Sequence, residues 1–252
     1  MLAGKVNLSS KHHIFILIFS FIIMGLILGI DDAGRGPLIG PMILAGVLLT
    51  KEQEMRVKKE GVADSKLLVH STRVRLSGMI RENCLKSHVV QSSANEIDES
   101  INSGVNLNTL EAKKAAHIIN EINQGKFTKE KIKVIVDCPS VNILAWQTTM
   151  EKFVNHKENL EIHCEHKADF NHQSVSAASI LAKVTREEEV AKIKKEYSKY
   201  GDIGSGYPSD PQTKEFLKKN GKELKNSGIF RKTWATWKTM FPEKENKQSK
   251  LF

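Results

Sequence analysis

The sequence predicts a mixed α/β fold, a sheet with helices on its faces, continued by a basic helical C-terminal region. Three observations carry that expectation. Short β-branched or continuously apolar runs recur between turn residues. Segments of helical periodicity separate the later runs. Positive charge gathers at the end of the chain, where residues 192–252 hold 15 Lys+Arg against 7 Asp+Glu within a formal net charge of +9. With 252 residues, 40% of them hydrophobic, the chain can bury a full core without disulfides or a structural metal.

Taken in order, residues 14–30 (IFILIFSFIIMGLILGI) are apolar apart from Ser20. Such a run lies near the lower limit for a membrane span, about 17–25 residues. It leads directly into Asp31-Asp32, so its last part is read as the first strand, 25–31, and the remainder is too short to cross a bilayer. Residues 1–23 are therefore expected to be an apolar extension upstream of a functional start at Met24, with no stable membrane partner; a tether built from residues 12–23 is the competing reading. Further strands fall at 42–49 (MILAGVLL), 87–92 (SHVVQS), 132–137 (IKVIVD) and 160–165. Little helix separates the first two, which predicts an antiparallel hairpin, whereas the later strands alternate with helices and imply parallel crossovers. Leu107, Leu110, Ala115, Ile118 and Ile122 line one helix, and Ile143, Trp146, Met150 and Phe153 another. A long helix over 174–199 ends the α/β body of 24–200. The region 201–252 then opens with the loop GDIGSGYPSDP and continues as a basic helical tail.

The residues that carry chemistry sit at strand ends. Asp31-Asp32 closes LILGI, Asp137 closes KVIVD, and Asp169 follows the 160–165 strand. A single strand-end Asp is commonly a turn former. Several converging on one sheet edge form a hard, oxygen-rich site suited to Mg²⁺ or Mn²⁺, and such ions can cleave phosphodiesters. The turn Gly34-Arg35-Gly36-Pro37 follows the paired acids, and its glycines let backbone approach a ligand closely. Ser176, Ser179, Lys183 and Arg186, spaced 3, 4 and 3, share one helix face. That stripe reads as a phosphate-tracking face or as a solvated one. Tyr207, flanked by Gly206 and Pro208, is placed to stack on a sugar or base, or simply to pack. The basic tail suits a polyanion. Cys84, Cys138 and Cys164 are odd in number and widely spaced, which indicates neither a disulfide framework nor a CxxC zinc site and suits a reducing, intracellular compartment. His163, Cys164 and His166 are near neighbours, but strand alternation splits adjacent residues between faces.

Together these segments resemble the ribonuclease HII family, its archaeal and eukaryotic-catalytic-subunit branch in particular. The likeness rests on GIDDAGRGPLIGPM (29–42), ADSK (63–66), VDCPS (136–140), HKAD (166–169), SAASILAKVTRE (176–187), GSGYPSDP (204–211) and RKTWATWK (231–238), in the expected order over about 24–240. The resemblance implies a ribonuclease H-like catalytic domain over 24–200, with 201–252 supplying a substrate-recognition loop and basic helices. It implies catalytic, metal-holding carboxylates at Asp31, Asp32, Asp137 and Asp169, with Mn²⁺ or Mg²⁺ as cofactor. It implies an endonuclease that cuts 5′ to ribonucleotides in RNA–DNA hybrids and in duplex DNA with embedded ribonucleotides, leaving 3′-hydroxyl and 5′-phosphate ends. Gly34, Arg35, Gly36 and Tyr207 correspond to readers of the ribose and the junction, and Lys66, Lys183 and Arg186 to phosphate contacts. A cytoplasmic monomer acting in DNA replication and repair is the expectation. One departure stands out: the family usually has Asp-Glu where this chain has Asp31-Asp32, which bears on rate and metal preference. Another nuclease of the same fold would share the acids but not the Gly-Arg-Gly turn, and a non-catalytic nucleic-acid binder would not need the acids.

Overall fold

β1 (Leu26–Ala33) is the central strand of a five-stranded sheet in the computed structural model, which describes residues 25–62 and 68–242. The expected 1–23 extension, Met24 and Lys66 lie outside the described residues. β2 (Met42–Thr50) returns antiparallel to β1, as the short connection requires, and all nine of its residues are buried. Such a strand needs cover on both faces. β3 (Lys86–Ser92) is antiparallel to β2, whereas β4 (Ile132–Asp137) and β5 (Leu160–Glu165) run parallel to β1 and to each other, giving the order β3-β2-β1-β4-β5.

Two helices between β2 and β3 have little apolar periodicity and do not stand out in the sequence. α1 (Lys51–Lys59) starts from a capping box in which Thr50 and Gln53 exchange side-chain and backbone hydrogen bonds, and Val57 is its one buried residue. α2 (His70–Asn83) follows, and the chain returns to the end of the sheet it left, with the Leu85 amide donating to the Leu48 carbonyl at 3.0 Å. That return explains why β3 is antiparallel despite an intervening helical connection.

One face of the sheet packs on α4 (Leu107–Ile122) and α5 (Ile143–Glu151), with α3 (Ala94–Asn102) alongside; Leu28, Ile30, Leu44, Val134 and Val136 meet Ala115, Ile118, Ile119 and Trp146 there. The α5 stripe is shorter than its periodicity suggests. The helix ends at Glu151, and Phe153 lies beyond it, 40% exposed. After β5 comes the single turn α6 (Ala168–Asn171), and then α7 (Gln173–Glu196), which crosses the other face. α7 approaches β1 so closely that a β-carbon at Gly29 would overlap the Ser174 backbone. Only glycine fits there.

The C-terminal region does not stand apart. α8 (Pro211–Asn220) and α9 (Ala235–Met240) build a third cluster in which Phe216, Leu217, Phe230 and Trp237 enclose Leu38 and Ile39 from the β1–β2 connection. An antiparallel bridge joins Ile39 to Phe230. No described helix is long and apolar enough to cross a membrane.

Candidate active site

Parallel pairing of β1 with β4 brings the first two acids together. The last registered pair is Ile30 with Val136, so Asp31 and Asp137 follow side by side. Alternation puts both on the α7 face and Asp32 on the face shared with Leu28 and Ile30. Asp169 arrives by a different route. Lys167, at φ 58°, adopts the left-handed conformation between β5 and α6, a conformation costly for a residue with a β-carbon and tolerated where its surroundings enforce it. The Ala168 amide then donates to Asp137 Oδ1 at 3.1 Å, tying the turn that bears Asp169 to the end of β4.

Ser176 and Ser179 are not where the stripe reading placed them. Both are buried: Ser176 donates to the Asp169 carbonyl and Ser179 hydrogen-bonds the Asp31 carboxylate. Residues 174–182 of α7 are all buried, so the two serines neither track phosphate nor face solvent. They hold two of the acids. Lys183 and Arg186, further along the same face, do reach a cleft.

That cleft, about 490 Å³, is lined by Asp32, Ala33, Gly34, Arg35, Gly36, Lys183, Arg186 and Tyr207, together with Arg73 and Glu187. Tyr207 is 40% exposed, and the Arg186 guanidinium lies over its ring at 5.3 Å. Burial pulls the Arg186 pKa down, and its Nε and Nη2 are buried without hydrogen-bond partners among the described residues. Arg73, which sequence reasoning missed, donates to Glu187 at 2.5 Å. The loop presenting Tyr207 is fixed from behind. The Gly206 carbonyl accepts from the Leu38 and Ile39 amides at 2.8 and 3.2 Å, and Asp210 caps α8 while accepting from the Ser205 amide at 2.6 Å. Those hydrogen bonds lower the Asp210 pKa to about 2.

The Gly-Arg-Gly turn is gripped by the tail. Arg231 is fully buried and donates to the carbonyls of Gly34 (2.6 Å), Arg35 (2.7 Å) and Gly40 (3.0 and 3.1 Å), while Trp234 Nε1 donates to that of Gly36 at 3.1 Å. Asp98 on α3 anchors this segment by accepting from the Lys232 and Thr233 amides at 2.7 and 2.9 Å. Gly34 has φ +85°, and a β-carbon there would lie 2.8 Å from the Pro41 carbonyl oxygen. Nothing local in RKTWATWK reveals that Arg231 reaches residues nearly 200 positions earlier.

The carboxylates are crowded. Burial, then the neighbouring Asp32, pushes the Asp31 pKa well above the usual carboxylate range. Burial raises Asp32 to about 6, with Arg35 opposing and Asp137 adding to the rise. Among the described residues no three His, Cys, Asp or Glu side chains close on one point as a ready-made metal cage. The donor set still fits a hard divalent ion. Mg²⁺ in particular is commonly held by one or two carboxylates together with substrate phosphate rather than by an all-protein cage, and a cation relieves the mutual repulsion that raises these pKa values. The sign of the pH effect follows. In the metal-free protein Asp32 keeps its proton below about pH 6, so metal binding is expected to weaken as pH drops through 6. In the metal-free protein a raised pKa means that this group's stability contribution is present below its ordinary pKa and lost as pH rises through about 6. Asp32→Asn should therefore stabilise the metal-free protein at pH 7.5, on the order of 1–2 kcal/mol, with no gain at pH 4. Equal denaturation midpoints for the two proteins at pH 7.5 would contradict this burden on Asp32.

A mixed sheet of this order, with helices on both faces and acids at the ends of its central strands, is a ribonuclease H-like fold. The ribonuclease HII family profile matches residues 28–237. A ribonuclease HII of Methanococcus maripaludis (strain C6) is 41% identical over 233 residues, which cover 90% of this chain and 91% of the relative. The crystal structure of ribonuclease H2 from Pyrococcus horikoshii OT3 superposes with a TM-score of 0.74 at 33% identity, over 85% of this chain and 96% of that one. The Archaeoglobus fulgidus ribonuclease HII, solved in complex with PCNA, gives 0.71 at 35% identity, over 83% and 95%. The chain belongs to the ribonuclease HII family, the type 2 ribonuclease H endoribonucleases acting on RNA–DNA hybrids.

Proposed function

We propose that this enzyme hydrolyses the phosphodiester 5′ to ribonucleotides, both in RNA–DNA hybrids and where they are embedded in duplex DNA, leaving 3′-hydroxyl and 5′-phosphate ends. The observation that carries the proposal is the single cleft that joins Asp32 to the Gly34–Gly36 turn, Lys183, Arg186 and Tyr207. Asp31, Asp32, Asp137 and Asp169 are the residues that would hold divalent Mn²⁺ or Mg²⁺. When bound, such an ion supplies an activated water and charge stabilisation at the leaving oxygen. The chain's own groups do the rest. Lys183 and Arg186, with Lys66, neutralise backbone phosphates. The turn's carbonyls are engaged by Arg231 and Trp234, and the turn so held reads the ribose. Tyr207 stacks on the neighbouring sugar. The 24–200 body supplies the catalytic carboxylates, and 201–252 supplies the recognition loop and basic helices. We assign the enzyme to ribonucleotide and RNA-primer removal in DNA replication and repair, as a cytoplasmic monomer.

The direct test is cleavage of a duplex with one embedded ribonucleotide in Mg²⁺, in Mn²⁺ and in chelator. Cutting 5′ to the ribonucleotide that stops in chelator is expected; no cutting with either ion would refute the proposal. A second expected result concerns the ring. A stacked aromatic contributes roughly 1–3 kcal/mol, so Tyr207→Ala should slow cleavage at a single ribonucleotide about tenfold to a hundredfold, with Tyr207→Phe in between. Continuous hybrids offer other registers and should suffer less. An unchanged ratio of the two rates in Tyr207→Ala would make the tyrosine a packing residue only.

A further inference from the structure

Arg35 does not extend freely from its turn. Its guanidinium is forked onto α4: Nη1 donates to Glu111 Oε2, and Nη2 donates to Asn108 Oδ1 at 2.6 Å. Residues 108 and 111 are three apart and so share one helix face. Glu111 is only 1% exposed, while Arg35 keeps 34% of its side chain exposed at the cleft. The second oxygen of Glu111 is buried with no hydrogen-bond partner among the described residues. A carboxylate placed there for stability alone would be a poor choice, because a buried ion pair with an unsatisfied oxygen gains little over an apolar replacement. Asn108 also links outward, with Nδ2 3.5 Å from Ser140 Oγ in the loop that follows Asp137. Asn108 thus ties the turn on one side to the loop that follows the Asp137 carboxylate on the other, with Glu111 beside it as the second anchor of Arg35.

We propose that Glu111 and Asn108 are positioning residues for substrate selectivity: they aim the Arg35 guanidinium, and through it set the Gly34–Gly36 turn against the ribose. The inference rests on the reading of that turn as the ribose-facing element. Two anchors, one on each terminal nitrogen, leave Arg35 one orientation, and a turn held in one orientation discriminates between a sugar that fits it and one that does not.

The test compares the full-length enzyme with Glu111→Gln, Glu111→Ala, Asn108→Ala, Arg35→Ala and the Arg35→Ala/Glu111→Ala double variant. Steady-state kcat and KM are measured on a single-ribonucleotide duplex and on an all-deoxy duplex, together with thermal midpoints. The expected result is a fall of about tenfold in selectivity for Glu111→Ala and, for the isosteric Gln, a smaller fall with a thermal midpoint unchanged or raised. The double variant should be no worse than Arg35→Ala alone, since Glu111 acts through Arg35. Additive losses, or a lowered midpoint with selectivity intact, would overturn the proposal and leave Glu111 as a structural residue. If the parent enzyme itself fails to cut the single-ribonucleotide duplex, the proposed function falls first; if the parent cuts and the variants keep its selectivity, the positioning role alone falls. Asn108→Ala, which removes no buried charge, gives the same readout should Glu111→Ala fold poorly.

Discussion

Asp137→Asn should lose turnover by a hundredfold to a thousandfold or more while still binding its duplex. The expectation follows from the position of the group. Asp137 ends β4 beside Asp31, and its Oδ1 accepts from the Ala168 amide that carries Asp169 into place. An asparagine keeps an oxygen at that position, so the turn at Lys167–Ala168 should survive and the fold with it. What is lost is one negative charge among the carboxylates proposed to hold the divalent ion. Removing a single preorganised electrostatic contact commonly costs about 3–4 kcal/mol in the transition state, which converts to that range of rates. Duplex affinity is proposed to rest on Lys183, Arg186 and the basic C-terminal region and should change little. Single-turnover cleavage and binding titrations on the same duplex separate the two quantities. Near-normal turnover in the variant would remove Asp137 from the reaction.

The second large effect concerns stability. Arg231 is a fully buried cation whose pKa is brought down to about 10, chiefly by burial. Four hydrogen bonds to three backbone carbonyls, and the Trp234 ring at 4.9 Å, hold it there. Arg231→Ala would leave the carbonyls of Gly34, Arg35 and Gly40 without their donors and open a cavity beneath the turn. Breaking a buried, hydrogen-bonded charge site of this kind costs about 3–5 kcal/mol, a drop of roughly 6–20 °C in Tm for a chain of this size. Arg231→Lys should recover only part of the loss, because an ammonium cannot fork to three carbonyls. A thermal melt of the alanine variant within a degree or two of the parent would show that the tail does not brace the turn.

The chemistry was legible in the sequence because it is written locally. An apolar run that stops at an acid marks a strand end, and two glycines around an arginine mark a backbone turn. The strands at 42–49, 132–137 and 160–165 fall where the apolar runs place them, and the hairpin follows from the short link between the first two. α1 and α2 were illegible because their faces are nearly all polar, with burial confined to Val57 in the first and to Leu76, Ser77 and Ile80 in the second.

What the tertiary structure alone decided is which groups meet. Parallel pairing set Asp31 beside Asp137, a register no local pattern encodes. Packing of α7 on β1 turned Ser176 and Ser179 from an apparent surface stripe into buried donors to Asp169 and Asp31. Arg35 found Glu111 and Asn108 more than 70 residues away, and Arg231 found Gly34 across 197. The physical reason is the same in each case. Periodicity records which face of an element avoids water, whereas the partner of a buried polar group is chosen by how separate elements dock, and only the folded chain holds that information.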